Sequence, residues 1–402
     1  MANMIDYLVW RGEFPFDVTP WNAVDGILVA TLSYLNFHGL QDPRGWTLQE
    51  ARRADVLQTS PDASFPLRRD AFFGMADSNR FGECRMHHFI SMTDKEISMQ
   101  FSAMCLDLPD GTTCIAYRGT DNTLIGWRED FNMSYQTRVP GQEAAGYYLQ
   151  RAAELSDRPL RLIGHSKGGN LAVYAAACAS PAVQDRIESI WNYDGPGMNR
   201  EVALSEGYGR IREKIHSFLP QTSIIGLLME YSKPYTVVRS TASGLYQHDP
   251  MTWQVYGPKF EEMESIDRTA QVISETLHEW LENSRPEQRA LFVETMFDLA
   301  DATKATKMSE ITGAKVRSLL KMVGGRRELD PEERRVFNRL MAQVVSLGLE
   351  NAMDRVRRRP ENDIASGEWS TLPPEEELKA EVQDPAERVT EEEIPDQSES
   401  GQ

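Results

Sequence analysis

The chain has 402 residues, 41% hydrophobic and 26% charged, and a mass of 45.6 kDa, enough to bury at least one full core with room for a further module. Its 43 Lys and Arg against 61 Asp and Glu give a net charge of −18, which disfavours whole-chain binding to nucleic acid or to an anionic membrane. The charge is uneven: Glu361 to Gln402 holds 14 acidic and 2 basic residues, so a mildly acidic body precedes an acidic tail.

The amino-terminal stretch meets Asp6, Arg11 and Glu13 before any apolar run of signal-peptide length, and no uncharged apolar stretch of about 18 residues follows. Four cysteines, Cys84, Cys105, Cys114 and Cys178, none at C-x-x-C spacing, are too few for a disulfide scaffold. Reduced thiols and a cytoplasmic location are the expectation.

Up to Tyr256 short strand-like runs alternate with helical ones, which predicts an α/β body over 1–256. Residues 98–119 read as a hairpin turning at Pro109, Asp110 and Gly111. A short strand follows at Leu160 to Ile163, then an Ala- and Leu-rich helix from Gly169 to Cys178. Further strands are predicted at Ser189 to Tyr193, Lys214 to Leu219 and Tyr235 to Ser240. From 257 to 354 the pattern turns helical: Phe260, Met263, Ile266, Ile273, Leu277, Trp280 and Leu281 keep helical spacing, and Asp330, Pro331 and Glu333 form an N-cap signature. Residues 355–402 are Glu-, Pro- and Ser-rich and expected to be disordered. No fixed-period repeat is evident.

The strongest chemical signal is Gly164-His165-Ser166-Lys167-Gly168, a G-x-S-x-G set between a strand and a helix. A sharp strand-to-helix turn strains the serine backbone and brings neighbouring chains too close for a Cβ, hence glycine at both ends. Ser166 is the candidate nucleophile. Its base should follow it in chain order. His38, His87 and His88 precede it, His165 adjoins it and is expected to point away, His216 lies in a strand and His278 in a helix. His248, in the loop Gln247-His248-Asp249-Pro250, remains as the candidate base. The orienting carboxylate is left open between Asp194, at the end of the strand after the nucleophile helix, and its rivals Glu230 and Asp249; Asp249 also suits a cap for the turn before Pro250. Oxyanion donors are expected from the Lys167 backbone N–H and from Thr120, whose hydroxyl adds a further donor. Arg118 and Asp130 read as a structural pair across the intervening loop.

These residues resemble the class 3, fungal-type lipase branch of the α/β-hydrolases, and more closely a poorly characterised bacterial lipase-like family. The matches are Ala116-Tyr117-Arg118-Gly119-Thr120 with Trp127 and Asp130, then Gly164-His165-Ser166 with Gly168-Gly169, Asp194-Gly195-Pro196-Gly197, and His248, spanning roughly Asp6 to Tyr256. The resemblance implies an α/β-hydrolase fold with a C-terminal helical extension and acidic tail, Ser166 as nucleophile and Thr120 in the oxyanion hole. Two departures stand out. Lys167 replaces the usual leucine and is expected to put a charge at the pocket mouth. The loop Pro220-Gln221-Thr222-Ser223, where that branch carries its triad aspartate, holds no carboxylate.

The function so implied is a soluble serine esterase or lipase acting on a small-molecule acyl ester. The alternatives are a catalytically weak hydrolase-like binding or scaffold protein, and an intracellular amidase or thioesterase on the same triad. Leu124, Ile125 and Trp127, with Ile224, Ile225, Leu227, Leu228 and Met229, suit an apolar lid and acyl pocket or, equally, core packing. Basic residues from Lys304 to Arg327 and at Arg355 and Arg357 to Arg359 leave membrane-surface contact open, while nucleic acid is not expected; the protein partner of the helical region or tail is undefined. Cys84 with His87 and His88 makes half a zinc site, and no H-E-x-x-H, P-loop or G-x-G-x-x-G occurs, so no metal or cofactor is implied.

Overall fold

The computed structural model describes residues 2–289, apart from 38–43, 61, 63, 122–123, 134–135, 230–233, 269, 273, 276–283, 286 and 288. The expected helices beyond these residues, the N-cap signature at Asp330, the basic stretches and the acidic tail lie outside the described residues.

The strands are β1 (Trp46–Thr47), β2 (Arg85–Asp94), β3 (Met99–Asp107), β4 (Thr113–Tyr117), β5 (Leu160–His165), β6 (Ile187–Tyr193), β7 (Ile215–Pro220), β8 (Tyr235–Val238), β9 (Val255–Tyr256), β10 (Lys259–Phe260) and β11 (Glu262–Met263). Nine of them form one sheet in the order β1-β2-β3-β4-β5-β6-β7-β8-β11, and β9 pairs with β10. Strands β4 to β8 are parallel; β1 to β4 and β8 with β11 pair antiparallel. This is an α/β-hydrolase fold with a mixed sheet, parallel through β4 to β8 and antiparallel toward both edges, covered on both faces.

The strand residues show why both faces must be covered. Met104, Leu106, Cys114, Ala116 and Ile163 pack into one core with helices α1 (Met4–Arg11), α2 (Ala23–Leu32) and α4 (Phe65–Ala76); α3 (Leu48–Arg53) sits against α4. Their alternating neighbours Ala103, Cys105, Ile115, Tyr117 and Leu162 pack into a second core. That core lies under α6 (Pro140–Leu155) and α7 (Lys167–Cys178), with α5 (Leu124–Asn132) in the connection after β4. Period-two alternation between two apolar layers leaves the central strands with no polar face. The β3–β4 hairpin turns as its sequence demands: Gly111 takes φ 91°, and Asp110 Oδ1 accepts from Thr112 N at 3.0 Å.

The helical reading fails at Phe260 and Met263. Gly257 adopts φ 61° beside Pro258, so the chain reverses into the β9–β10 pair and continues into β11. Phe260 is buried in the core and Met263 pairs with Val237 on the sheet. Turn chemistry overrides the apolar spacing there.

The N-terminal layer is pinned by a buried ion pair. Arg80 and Asp25 are both fully buried, with Nη2–Oδ2 at 2.5 Å and Nε–Oδ1 at 2.8 Å. Tyr7 donates to Asp25 Oδ1 at 2.7 Å, and Arg80 also donates to the carbonyls of Phe14, Thr19 and Pro20. Burial pushes the Asp25 carboxyl up and Arg80 opposes that rise. Removing one partner strands a buried charge, so Arg80→Leu is expected to lower the unfolding free energy by about 3–5 kcal/mol in denaturant titration, and Asp25→Asn with Arg80→Leu together to cost less than their sum.

Candidate active site

Four loops at the carboxyl ends of parallel strands bring the singled-out residues to one edge: Thr120 follows β4, Ser166 follows β5, Asp194 follows β6 and His248 follows β8. Ser166 is the one-residue turn between β5 and α7, with φ 59° and ψ −135°, a backbone conformation rare outside glycine. The turn is this tight because a Cβ on Gly164 would sit 2.0 Å from the Gly168 carbonyl carbon, and one on Gly168 would sit 2.1 Å from the Tyr117 oxygen. Ser166 N donates to Tyr193 O at 2.9 Å, tying the turn to the end of β6.

Asp194, the next residue, is buried and also takes a positive φ, 51°. Its amide donates to Phe218 O at 2.8 Å on β7. One carboxylate oxygen, Oδ2, accepts from His248 Nδ1 at 2.6 Å; the other accepts from the Ser223 hydroxyl. The loop that lacks a carboxylate therefore contributes Ser223, and Ser223 Oγ in turn accepts from Gly226 N at 3.1 Å. Of the two rivals, Asp249 caps the short helical turn after it, accepting from Met251 N at 3.1 Å and from Ser64 Oγ at 2.9 Å. Glu230 lies outside the described residues.

His248 closes a short helical turn that begins at Gly244. Gln247 holds that turn: its Oε1 accepts from Thr222 N at 2.9 Å, its Nε2 donates to Ala242 O at 3.0 Å, and its carbonyl accepts from buried Trp253 Nε1 at 2.7 Å. With Nδ1–H committed to Asp194, Nε2 carries the lone pair.

His165 does not simply point away from the site. Its ring lies 4.6 Å from the His248 ring, and its Nε2 is 2.7 Å from the His248 carbonyl. A carbonyl only accepts, so Nε2 bears the proton and Nδ1 accepts from Tyr34 OH at 2.9 Å. Burial, reinforced by the neighbouring His248, drives the His165 pKa well below the ordinary histidine value, so its ring is neutral. Neither Tyr34 nor Ser223 announces itself in the sequence; Ser223 stands in a loop singled out for what it lacks, whereas Tyr34 is 131 positions from its partner.

Lys167 corrects another expectation. Its side chain is 1% exposed, donating to Glu129 Oε2 at 2.9 Å and to Gln100 O at 2.8 Å, so no charge stands at a pocket mouth. The fully buried Glu129 also accepts from Gly141 N at 2.7 Å and Gln100 N at 3.0 Å, and this complete solvation by protein is why the pair is tolerated. The Lys167 amide opens α7 and has no acceptor within the helix.

Asp130 pairs with Thr120 and not with Arg118: Thr120 Oγ1 donates to its Oδ2 at 2.5 Å. The hydroxyl proton of Thr120 is thereby spent on Asp130. Arg118 instead lies in the field of Asp121, and burial lowers its pKa. Of the lid candidates, Leu227 is buried with Leu219 and Val237 in a small core of its own. The side chains of Leu124 and Trp127 lie outside the described residues.

The second oxygen of Asp130, Oδ1, is buried with no hydrogen-bond partner, and the Lys167 ammonium is 4.0 Å away. Burial pushes the Asp130 carboxyl up to about 6, against the opposing pull of Lys167. Between the ordinary carboxylate value and that raised one, the folded chain holds a proton that the unfolded chain has released, so stability falls as pH rises through this window. Denaturant midpoints at about pH 4.5 and about pH 7 should therefore differ less in Asp130→Asn than in wild type.

Residues 75–298, more than half of the chain, match the family described as Mbeg1-like. No curated protein matches the chain. Among solved structures, the M37 lipase is similar at 16% identity and a TM-score of 0.31, over 50% of this chain and 68% of its own. A mutant of MDLA from Penicillium cyclopium is similar at 12% identity and a TM-score of 0.34, over 59% of this chain and 83% of its own. A triacylglycerol lipase from Penicillium expansum is similar at 12% identity and a TM-score of 0.29, over 47% and 87%. With a match across that much of its length, the chain belongs to the Mbeg1-like family.

Proposed function

We propose that this protein is a serine hydrolase that cleaves acyl esters through a covalent acyl-enzyme. The observation that carries the reading is the 2.6 Å pair between His248 Nδ1 and buried Asp194, at the same sheet edge as a serine held at φ 59°. Strain of that kind persists only where the surroundings enforce it, and a histidine with one nitrogen locked by a buried carboxylate is suited to move a proton with the other.

In this reading His248 Nε2 takes the Ser166 hydroxyl proton as Oγ attacks the ester carbonyl. The amides of Lys167 and Thr120 receive the oxyanion. Collapse of the tetrahedral intermediate breaks the bond to the alcohol, which leaves with the proton from His248. Water, deprotonated by the same imidazole, then attacks the acyl-enzyme and releases the carboxylic acid. His165, neutral and bonded to the His248 carbonyl, is a positioning residue that fixes the base without adding a competing charge. No bound cofactor takes part. Acyl esters of small molecules are the proposed substrates, and the four free cysteines suit a reducing, cytoplasmic setting. Among the described residues no helix is long and apolar enough to cross a membrane.

The test is labelling of the purified chain with a fluorophosphonate probe, followed by a panel of esters, thioesters and amides. Ser166→Ala should abolish labelling. Asp194→Asn should slow ester turnover by about 10⁴-fold, because an amide in that place favours the wrong histidine tautomer. A folded wild type that stays unlabelled would sink the proposal in favour of a binding protein on a hydrolase scaffold.

A further inference from the structure

We propose that His87, His88 and Cys105 form a binding site for a divalent transition-metal ion, zinc by its donor chemistry, on the sheet away from Ser166. Strands β2 and β3 pair antiparallel with His87 directly opposite Cys105, which puts those two side chains on one face. In a regular strand His88 would point to the other face. It does not, because the β2–β3 register shifts between His87 and Ile90 and His88 takes φ 53°. That bulge turns His88 back beside His87, and the three ligand atoms lie within 4.8 Å of one another.

The nitrogens are aimed for a shared cation. His87 Nδ1 and His88 Nδ1 are 2.5 Å apart. His87 Nε2 lies 3.3 Å from Asp107 Oδ1, and Asp107 is held by Arg158 at 3.1 Å and by the Thr113 hydroxyl at 2.6 Å. Buried His87 Nε2 makes no hydrogen bond in this state, and Asp107 is the carboxylate near enough to receive its proton once Nδ1 is occupied by a metal ion. At the Nδ1–Nδ1 distance of 2.5 Å only a proton fits between the two nitrogens; imidazole ligands on a tetrahedral zinc stand about 3.3 Å apart, so the rings separate by a little under 1 Å as the ion enters.

The third ligand and the walls favour the metal. Cys105 is buried at 2% exposure, whereas the His87 side chain is 15% exposed, so a protein thiol lies beneath and solvent can supply a fourth ligand from above. Tyr148 of α6 stands over the site, its hydroxyl 3.4 Å from Cys105 Sγ and donating to His88 O at 2.8 Å, which fixes the bulged backbone. Two imidazoles and a thiolate suit zinc or copper and not magnesium or calcium. On binding, Cys105 releases its thiol proton to solvent and His88 keeps its proton on Nε2. Cys84, the cysteine nearest the two histidines in sequence, packs in the opposite core and takes no part.

The experiment titrates the chelator-stripped full chain with Co²⁺ and then displaces it with Zn²⁺. One Co²⁺ per chain is expected, with a thiolate-to-cobalt charge-transfer band that disappears on adding Zn²⁺. The band should be lost in Cys105→Ser, kept in Cys178→Ser, and formed with at least about 10-fold weaker affinity in Asp107→Asn. If Cys105→Ser fails to fold by circular dichroism, His88→Asn serves, since asparagine accepts the positive φ but lacks the imidazole. Absence of a thiolate–cobalt band in wild type, leaving a proton shared between the histidines, would overturn the proposal, as would a band that follows Cys178.

Discussion

The turn at Ser166 is the constraint on which the rest of the site depends. Its φ of 59° is imposed from outside: β5 must end and α7 must begin within a single residue, with Gly164 against Gly168 and Gly168 against the Tyr117 carbonyl. Once that crossing is fixed, the serine amide has one acceptor, Tyr193 O, and this bond sets the end of β6 beside it. Asp194 follows immediately, so its place relative to the serine is decided by backbone hydrogen bonds before any side chain takes part. The two cores exist to hold this crossing, since both faces of β4, β5 and β6 are sealed by helices.

Charge in the site is handled by complete solvation at some groups and deliberate incompleteness at others. Glu129 has every oxygen engaged by Lys167 and backbone amides. Asp194 likewise has both oxygens engaged, one by His248 and one by Ser223. Asp130 differs, with one oxygen on Thr120 and one buried without a partner. A carboxylate satisfied on both sides is a fixed charge, whereas a half-satisfied one yields to protonation. That difference separates the group that steadies His248 from the one that restrains the Thr120 loop.

What the sequence made legible follows from how local each signal is. The G-x-S-x-G turn, the Asp110-Gly111 hairpin and strands β3 to β8 rest on neighbouring residues, and each appears where its pattern placed it. Asp194 was one of three carboxylates open to choice, because nothing local says which of them His248 reaches across 54 positions. The Lys167 side chain escapes a local reading for the same reason: its partner Glu129 is 38 positions away, and an uncompensated lysine reads as a surface charge. At Phe260 and Met263 two local signals conflict, and the Gly-Pro turn prevails over the helical spacing of the apolar residues. The pairing of His87 with Cys105 needed the β2–β3 register, which the sequence does not state.

Positive φ outside glycine links these observations. Among the described residues six such positions occur, and two of them, Ser166 and Asp194, end adjacent parallel strands at the site itself. A third, His88, is the bulge that brings two imidazoles to Cys105. In each case the residue would be easier to accommodate as glycine, yet its side chain makes or flanks the polar contact that distinguishes the place. Strain of this kind costs on the order of 1–3 kcal/mol per residue and persists only where the fold enforces it. Serine, aspartate and histidine in such conformations hold polar groups in place against the preference of the backbone, and that is the physical reason to test the β5–β6 edge and the β2–β3 bulge as two separate candidate sites.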